Sequence, residues 1–147
     1  MARISSLDSL LASDNLNASI IELDSFIEEL CNYGNELDKL TVPQKLFYFN
    51  QKLEIEVNNG GFDQYFCNTG SEYANETIES LKSIGANKTA DILKRAIDLV
   101  LQLIDKMKKE EDIPDDIWDS LDEEFLEYED DLNTLNIEYV KKNRDFF

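Results

Sequence analysis

Histidine is absent from the 147 residues, and that absence removes a large share of enzyme chemistry. Without it there is no Ser-His-Asp or Cys-His nucleophile, the commonest general base is missing, and most catalytic zinc sites cannot form. Cysteine is scarce too. Cys31 and Cys67 are the whole complement, read here as two small buried apolar side chains in a reducing compartment. Long apolar runs are missing: the longest, Ile97 to Ile104, is broken by Asp98 and Gln102, so nothing is expected to span a bilayer. The first residues, MARISSLDSLLASDNLN, lack the apolar core of a signal peptide, and the expected location is cytoplasmic. Positive charge is sparse. Fourteen Lys and Arg face 32 Asp and Glu, for a net charge of −18 at pH 7. Such a field repels polyanions, which excludes direct binding to nucleic acid or to anionic membrane.

Glycine and proline number only five and two, and no stretch alternates cleanly enough for a strand. The chain reads as all-α, a compact single domain of about six to seven helices over residues 1–147, with 1–16 as a flexible N-terminal segment. One helix is expected from about Ala18 to Tyr33, capped by Asn17 and ended by Gly34. Thr41-Val-Pro-Gln44 has the form of a capping box and opens a helix to about Asn58. Asn58-Asn59-Gly60-Gly61 makes a corner, and a short helix follows over Phe62–Cys67, ended by Asn68-Thr69-Gly70. A helix from about Glu72 to Ile84 ends at Gly85. Asn87 is taken as the cap of the next, which runs to about Lys109 and is expected at the centre of the bundle. Its apolar stripe is Leu93, Ala96, Ile97, Val100, Ile104 and Met107. Two more helices between Pro114 and Asn143, broken near Glu129–Asp131, are docked by Trp118, Leu121, Phe125, Leu126 and Tyr128, then by Leu132, Leu135, Tyr139 and Val140.

Charge is unevenly placed. Between Glu110 and Val140 stand fourteen acids and no Lys or Arg. Read as helix, this segment sets like charges at i,i+4 in Asp112/Asp116, Asp115/Asp119, Asp119/Glu123 and Glu123/Glu127, each unfavourable by a few tenths of a kcal/mol. One reading is a solvated face. A calcium site is a second, but no D-x-[DN]-x-[DN]-G-x₅-E loop is present. The third, preferred, is an interface for a strongly basic partner built on Asp112, Asp115, Asp116, Asp119, Asp122, Glu123, Glu127, Glu129, Asp130 and Asp131. Duplex DNA carries one charge per ~1.7 Å, so eighteen charges match about 30 Å of duplex, comparable to the span of a domain this size.

The segment Glu56-Val-Asn-Asn-Gly-Gly-Phe-Asp-Gln-Tyr-Phe-Cys-Asn-Thr-Gly70 has two readings. An enzyme reading uses Glu56 as base, Asn58 and Gln64 as anchors, Asp63 as a second carboxylate and Cys67 as nucleophile. The structural reading is preferred: two glycines turn the chain, Phe62, Tyr65 and Phe66 fill the core, and Asn58, Asn59, Gln64 and Asn68 satisfy backbone groups at helix ends, with Glu56 joining them.

This segment resembles the hallmark E-V-x-N-G-G-F-x-Q-Y-F-x-N-x-x-G of a bacterial family of DNA-mimic (DMP19-like) proteins. The likeness continues through Ile84-Gly85-Ala86 and Thr89-Ala90-Asp91-Ile92-Leu93. It extends through Leu121-Asp122-x-x-Phe125, Asp130-Asp131-Leu132 and Tyr139-Val140, covering roughly Val42 to Asn143. The resemblance implies an all-α homodimer whose acidic surface imitates DNA phosphates and occupies a basic DNA-binding protein, such as a helix-turn-helix transcription factor, in transcription regulation. It carries over Glu56, Asn58, Gly60, Gly61, Phe62, Gln64, Tyr65, Phe66 and Asn68 by position, without a chemical role. The expectation is therefore a non-enzymatic interaction protein with no cofactor and no metal. The alternatives are an immunity or antitoxin-like inhibitor of a basic nuclease toxin, and an acidic scaffold without mimicry.

Overall fold

The structure, a computed structural model, describes residues 7–69 and 72–147. Its elements are helices: α1 (Leu7–Ala12), α2 (Leu16–Leu30), α3 (Val42–Thr69), α4 (Ala74–Ser83), α5 (Asn87–Lys108), α6 (Asp119–Leu126) and α7 (Leu132–Lys142), with 3₁₀ turns at Leu37–Lys39 and Arg144–Phe146. Among the described residues there is no strand. The expected all-α bundle is what forms.

The helix that organises the bundle is α3. Its first half sends Phe47, Tyr48 and Phe49 into a core shared with α1, α2, α7 and Phe147, where Leu23, Ile27, Ile137 and Val140 are buried. Leu46, Leu53 and Val57 on the other face join Phe62, Tyr65 and Phe66 from the second half in a core with α4, α5 and α6. Burial on two sides explains why α3 has no clean amphipathic stripe. The expectation that α5 lies at the centre is therefore corrected. Leu93 and Ala96 are buried, but Ile104 is 40% and Met107 67% exposed, so the last turns of α5 project from the core. Leu126, expected to dock α6, is 48% exposed, while Trp118 and Phe125 are buried and Tyr128 packs edge-on against Phe125 with ring centroids 5.7 Å apart.

Several local signals are realised as read. In the capping box, the Gln44 N–H donates to Thr41 Oγ1 (3.2 Å) and the Thr41 N–H to Gln44 Oε1 (2.9 Å). Gly85 has φ +86. The Ala86 N–H reaches Leu81 O (2.8 Å) and the Gly85 N–H reaches Lys82 O (3.0 Å), which is the Schellman closure of α4.

Others differ. α2 begins at Leu16 with Asn15 rather than Asn17 as its cap, the Ala18 N–H donating to Asn15 Oδ1 (3.1 Å). At its far end Asn32 and Tyr33 already turn left-handed ahead of Gly34. Part of the segment expected to be flexible is helical, since α1 covers Leu7–Ala12 and buries Leu11; residues 1–6 of that expectation, and Gly70 as a helix stop, lie outside the described residues. Cys31 is buried as expected, whereas Cys67 is exposed. The acids Asp112, Asp115 and Asp116 lie on turns around Pro114, not on a helix. Asp112/Asp116 and Asp115/Asp119 are therefore not i,i+4 neighbours on a helix, and of the four such pairs only Asp119/Glu123 and Glu123/Glu127 bear on α6.

Candidate functional site

Two features of the sequence converge where α3 breaks. Gly60 (φ −157°, ψ 19°) and Gly61 (φ 72°, ψ −173°) interrupt the helix between Asn59 and Phe62. The Gly61 backbone combination is essentially glycine-only, and a Cβ there would stand 2.4 Å from Asp122 Oδ2. That close approach has a use. Restarting a helix at Phe62 leaves its first N–H groups without partners, and the Phe62 N–H donates to Asp122 Oδ1 at 2.8 Å. One turn further along α6, Phe125 packs edge-on against Phe62 with ring centroids 5.8 Å apart, while Trp118 stacks on Phe62 and Phe66. The Leu121-Asp122-x-x-Phe125 pattern thus serves the Gly-Gly corner.

The corner also gathers polar side chains. Glu56, Gln64 and Asn68 would lie roughly 12 and 18 Å apart along a straight helix at 1.5 Å per residue. After the break, Glu56 Oε2 accepts from both Gln64 Nε2 (2.9 Å) and Asn68 Nδ2 (2.8 Å). Asn58 Nδ2 donates to Glu54 O (2.7 Å) and to the Tyr128 hydroxyl (2.6 Å). Gln64 and Asn68 were expected to satisfy backbone groups; they bind a carboxylate instead. The hallmark's aromatics are core residues: Phe62, Tyr65 and Phe66 are all buried, and the Tyr65 hydroxyl donates to Thr77 Oγ1 (3.5 Å). Of the residues of the enzyme reading, Glu56 meets Gln64 and Asp63 meets Cys67, but the two pairs are not brought into one cleft. Glu56 borders a cleft, but Cys67 is not among its walls, and its Sγ lies 4.0 Å from Asp63 Oδ1.

The fourteen acids of 110–140 divide by what they touch. Asp130 Oδ2 accepts from the N–H (2.8 Å) and hydroxyl (2.9 Å) of Thr89, capping α5 from a distance in the place expected for Asn87. Asp131 caps α7 through the N–H (3.2 Å) and hydroxyl (2.8 Å) of Thr134. With Asp122 at the corner, three of the ten predicted interface residues hold helix ends. Glu129 pairs with Lys88 (3.3 Å), Glu111 with Lys106 (3.7 Å), Glu138 with Lys141 (3.4 Å), and Glu124 with Arg95, which also holds Asp91. The Arg95 hydrogen bonds hold the Glu124 carboxyl below its usual range.

Glu110, Asp112, Asp115, Asp116, Asp119, Glu123 and Glu127 remain, all exposed and, among the described residues, without a cationic partner. Asp63, Asp115, Asp119 and Asp122 line a groove of about 490 Å³ together with apolar residues that include Leu103, Met107 and Trp118. No Lys or Arg lines it. Burial, and then the neighbouring charges of Asp119 and Asp63, push the Asp122 carboxyl up against the opposing effect of the Phe62 N–H. Asp63 was missed as part of this surface because its signal lay inside the hallmark, and Met107 because its helical spacing reads as core.

Two further carboxyls are perturbed by burial. Glu54 rises to about 7, with the Asp131 charge adding to desolvation. Asp24 rises to about 6 through burial and Glu28, offset in part by Lys52. Among the described residues no group of three or more Cys, Asp or Glu side chains is placed to hold a metal ion, and no helix is long and apolar enough to cross a membrane.

Compared with protein families, residues 38–143 match the model described as DMP19-like protein. The chain belongs to the DMP19-like family. No curated protein and no solved structure gives a significant match. The matched DMP19-like region starts just before the capping box of α3 and ends just after α7, so it contains both the Gly-Gly corner and the acidic segment.

Proposed function

We propose that this DMP19-like protein is a non-enzymatic interaction protein, a DNA mimic that acts as a homodimer and occupies the basic surface of a DNA-binding protein such as a transcription factor. The observation that carries the reading is the set Asp112, Asp115, Asp116, Asp119, Glu123 and Glu127. These carboxylates are exposed, carry no internal counter-ion among the described residues, and lie in a stretch without any Lys or Arg. Carboxylates held at a surface attract Lys and Arg as phosphates do, and give fast, salt-sensitive association. The apolar side chains that line the same groove as Asp115 and Asp119 add contact area that a bare polyanion lacks. The capping acids Asp122, Asp130 and Asp131 contribute field but are committed to helix ends.

The test is competition with DNA. Immobilised protein is expected to retain a DNA-binding protein from the lysate of its own cell, and both added salt and added duplex DNA should release it. The variant carrying Asp115→Asn, Asp116→Asn and Asp119→Asn should retain much less. Retention unaffected by saturating duplex, or unchanged in the triple variant, overturns the proposal. Sedimentation at micromolar concentration checks the dimer, and a monomer there contradicts that part of it.

A further inference from the structure

We infer that the cleft bordered by Glu56 is a binding site for a small zwitterion, a free α-amino acid with an apolar or aromatic side chain. The inference is independent of the acidic surface and rests on how α3 disposes two opposite charges.

Lys52 and Glu56 stand one turn apart on α3 and both line the cleft, yet they form no ion pair with each other. Lys before Glu at i,i+4 is the weaker order for such a pair. Each is held by other side chains instead, Lys52 by one from α2 and Glu56 by two from the part of α3 beyond the Gly-Gly corner. Lys52 Nζ lies 2.9 Å from Glu28 Oε1 on α2 and 5.5 Å from the centre of the Tyr48 ring. Among the described residues Glu56 is anchored through Oε2, which takes both amide donors of Gln64 and Asn68, while Oε1 has no hydrogen bond there. An ammonium has three donors and a carboxylate about four acceptor positions, so each group keeps capacity toward the cleft. The result is a preorganised donor and a preorganised acceptor side by side. A ligand with its own ammonium and carboxylate satisfies both at once, amine to Glu56 and carboxylate to Lys52.

The remaining walls select size and side chain. The cleft has a volume of about 280 Å³, just under the roughly 300–1,000 Å³ of sites that take drug-sized ligands. Four tyrosines line it, Tyr33 from the α2–α3 connection, Tyr48 and Tyr65 from α3, and Tyr73 ahead of α4. Such rings offer an apolar contact area with polar tips. Gly34 secures one of them: its φ is +90 and a Cβ would stand 2.6 Å from the Tyr48 hydroxyl, so the glycine lets that hydroxyl sit at the edge of the cleft. The Gly-Gly corner contributes as well, because it returns Asn68 to Glu56 and so orients the carboxylate.

The experiment is calorimetric titration of the full chain with L-leucine, L-methionine, L-phenylalanine and L-tyrosine. Parallel titrations use phenethylamine, which lacks the carboxylate, and 3-phenylpropanoate, which lacks the amine. At least one amino acid should bind, and each truncated compound should bind at least about tenfold more weakly than L-phenylalanine, the scale of one lost charge-assisted hydrogen bond. Lys52→Met and Glu56→Gln should each weaken binding by a similar factor, while the triple Asn variant at 115, 116 and 119 should bind as the parent does. Tyr33→Ala alters a wall residue that is 67% exposed and outside the core, and should weaken binding several-fold with the fold intact. If none of the four amino acids binds up to about 10 mM, or if either truncated compound binds as tightly as L-phenylalanine, the inference is wrong. It is equally wrong if the Tyr33→Ala protein, or folded Lys52→Met and Glu56→Gln proteins, bind as the parent does.

Discussion

The Gly-Gly corner and the turn region around Pro114 use the same side chain in opposite ways. At the corner, the half-buried Glu56 and Asp122 accept three hydrogen bonds between them, from Gln64, Asn68 and the Phe62 N–H. Around Pro114, Asp112, Asp115 and Asp116 face water with no partner among the described residues. The contrast shows that a count of acids overstates the surface available to a partner. A carboxylate that caps a helix has its lone pairs occupied and its position set by the fold, whereas one on an exposed turn keeps both oxygens for an incoming cation. Of the ten acids first assigned to the interface, three cap helix ends and Glu129 is paired with Lys88.

The largest effect that could break this comparison is at Gly61. Alanine there must adopt a backbone region that L-residues avoid and push against the Asp122 carboxylate. Gly61→Ala should lower stability by about 3 kcal/mol or more in urea unfolding. A loss below about 1 kcal/mol would mean that the corner is not the fixed element described.

Glu54 lies between the two classes, being half-buried with Oε1 out of solvent and unpartnered. Burial pushes its carboxyl up to about 7 in the folded protein, against an ordinary value of 4.5. Because the folded pKa is the higher one, the native state binds more protons than the unfolded state between these values, and stability falls as pH rises through that window. Glu54→Gln should therefore raise stability by about 1–3 kcal/mol at pH 8, and the gain should shrink to nothing below about pH 4.5. Paired urea titrations at pH 8 and pH 4 measure it; an equal gain at both would remove the explanation.

A smaller change is expected at a capping acid. Asp130→Ala removes the acceptor for the Thr89 N–H and should cost about 1–2 kcal/mol in thermal unfolding. The smallest is at the exposed acids. Replacing Asp115, Asp116 and Asp119 together by Asn should shift stability by no more than about 0.5 kcal/mol, while strongly reducing retention of a basic partner. A comparable stability loss in the Asp130 and triple variants would erase the distinction between fixed and free carboxylates.

Much of the helix layout was readable from local chemistry. The capping box at Thr41, the Schellman closure at Gly85 and the turn near Glu129–Asp131 are short-range events, decided by residues within a few positions of one another. The hallmark was readable as a motif and its glycines as a corner. Less visible were the partners that arrive from far along the chain. Asp130 displaces Asn87 as the cap of α5 from 41 positions away, and Asp122 reaches Phe62 across 60. Periodicity misplaced the centre for a related reason. The cleaner stripe of α5 marks a helix covered on one side, while α3, wrapped on two, shows almost none.

What the sequence by itself determined is the helical class, the sign and location of the charge excess, and the need for a sharp bend at Gly60–Gly61. Each follows from residue type and spacing. Which carboxylates are spent on the fold, which remain exposed, and that Lys52 and Glu56 share a cleft without pairing were decided only when α2, α3, α4 and α6 packed together. Such contacts depend on the relative placement of whole helices, and no local pattern encodes that placement.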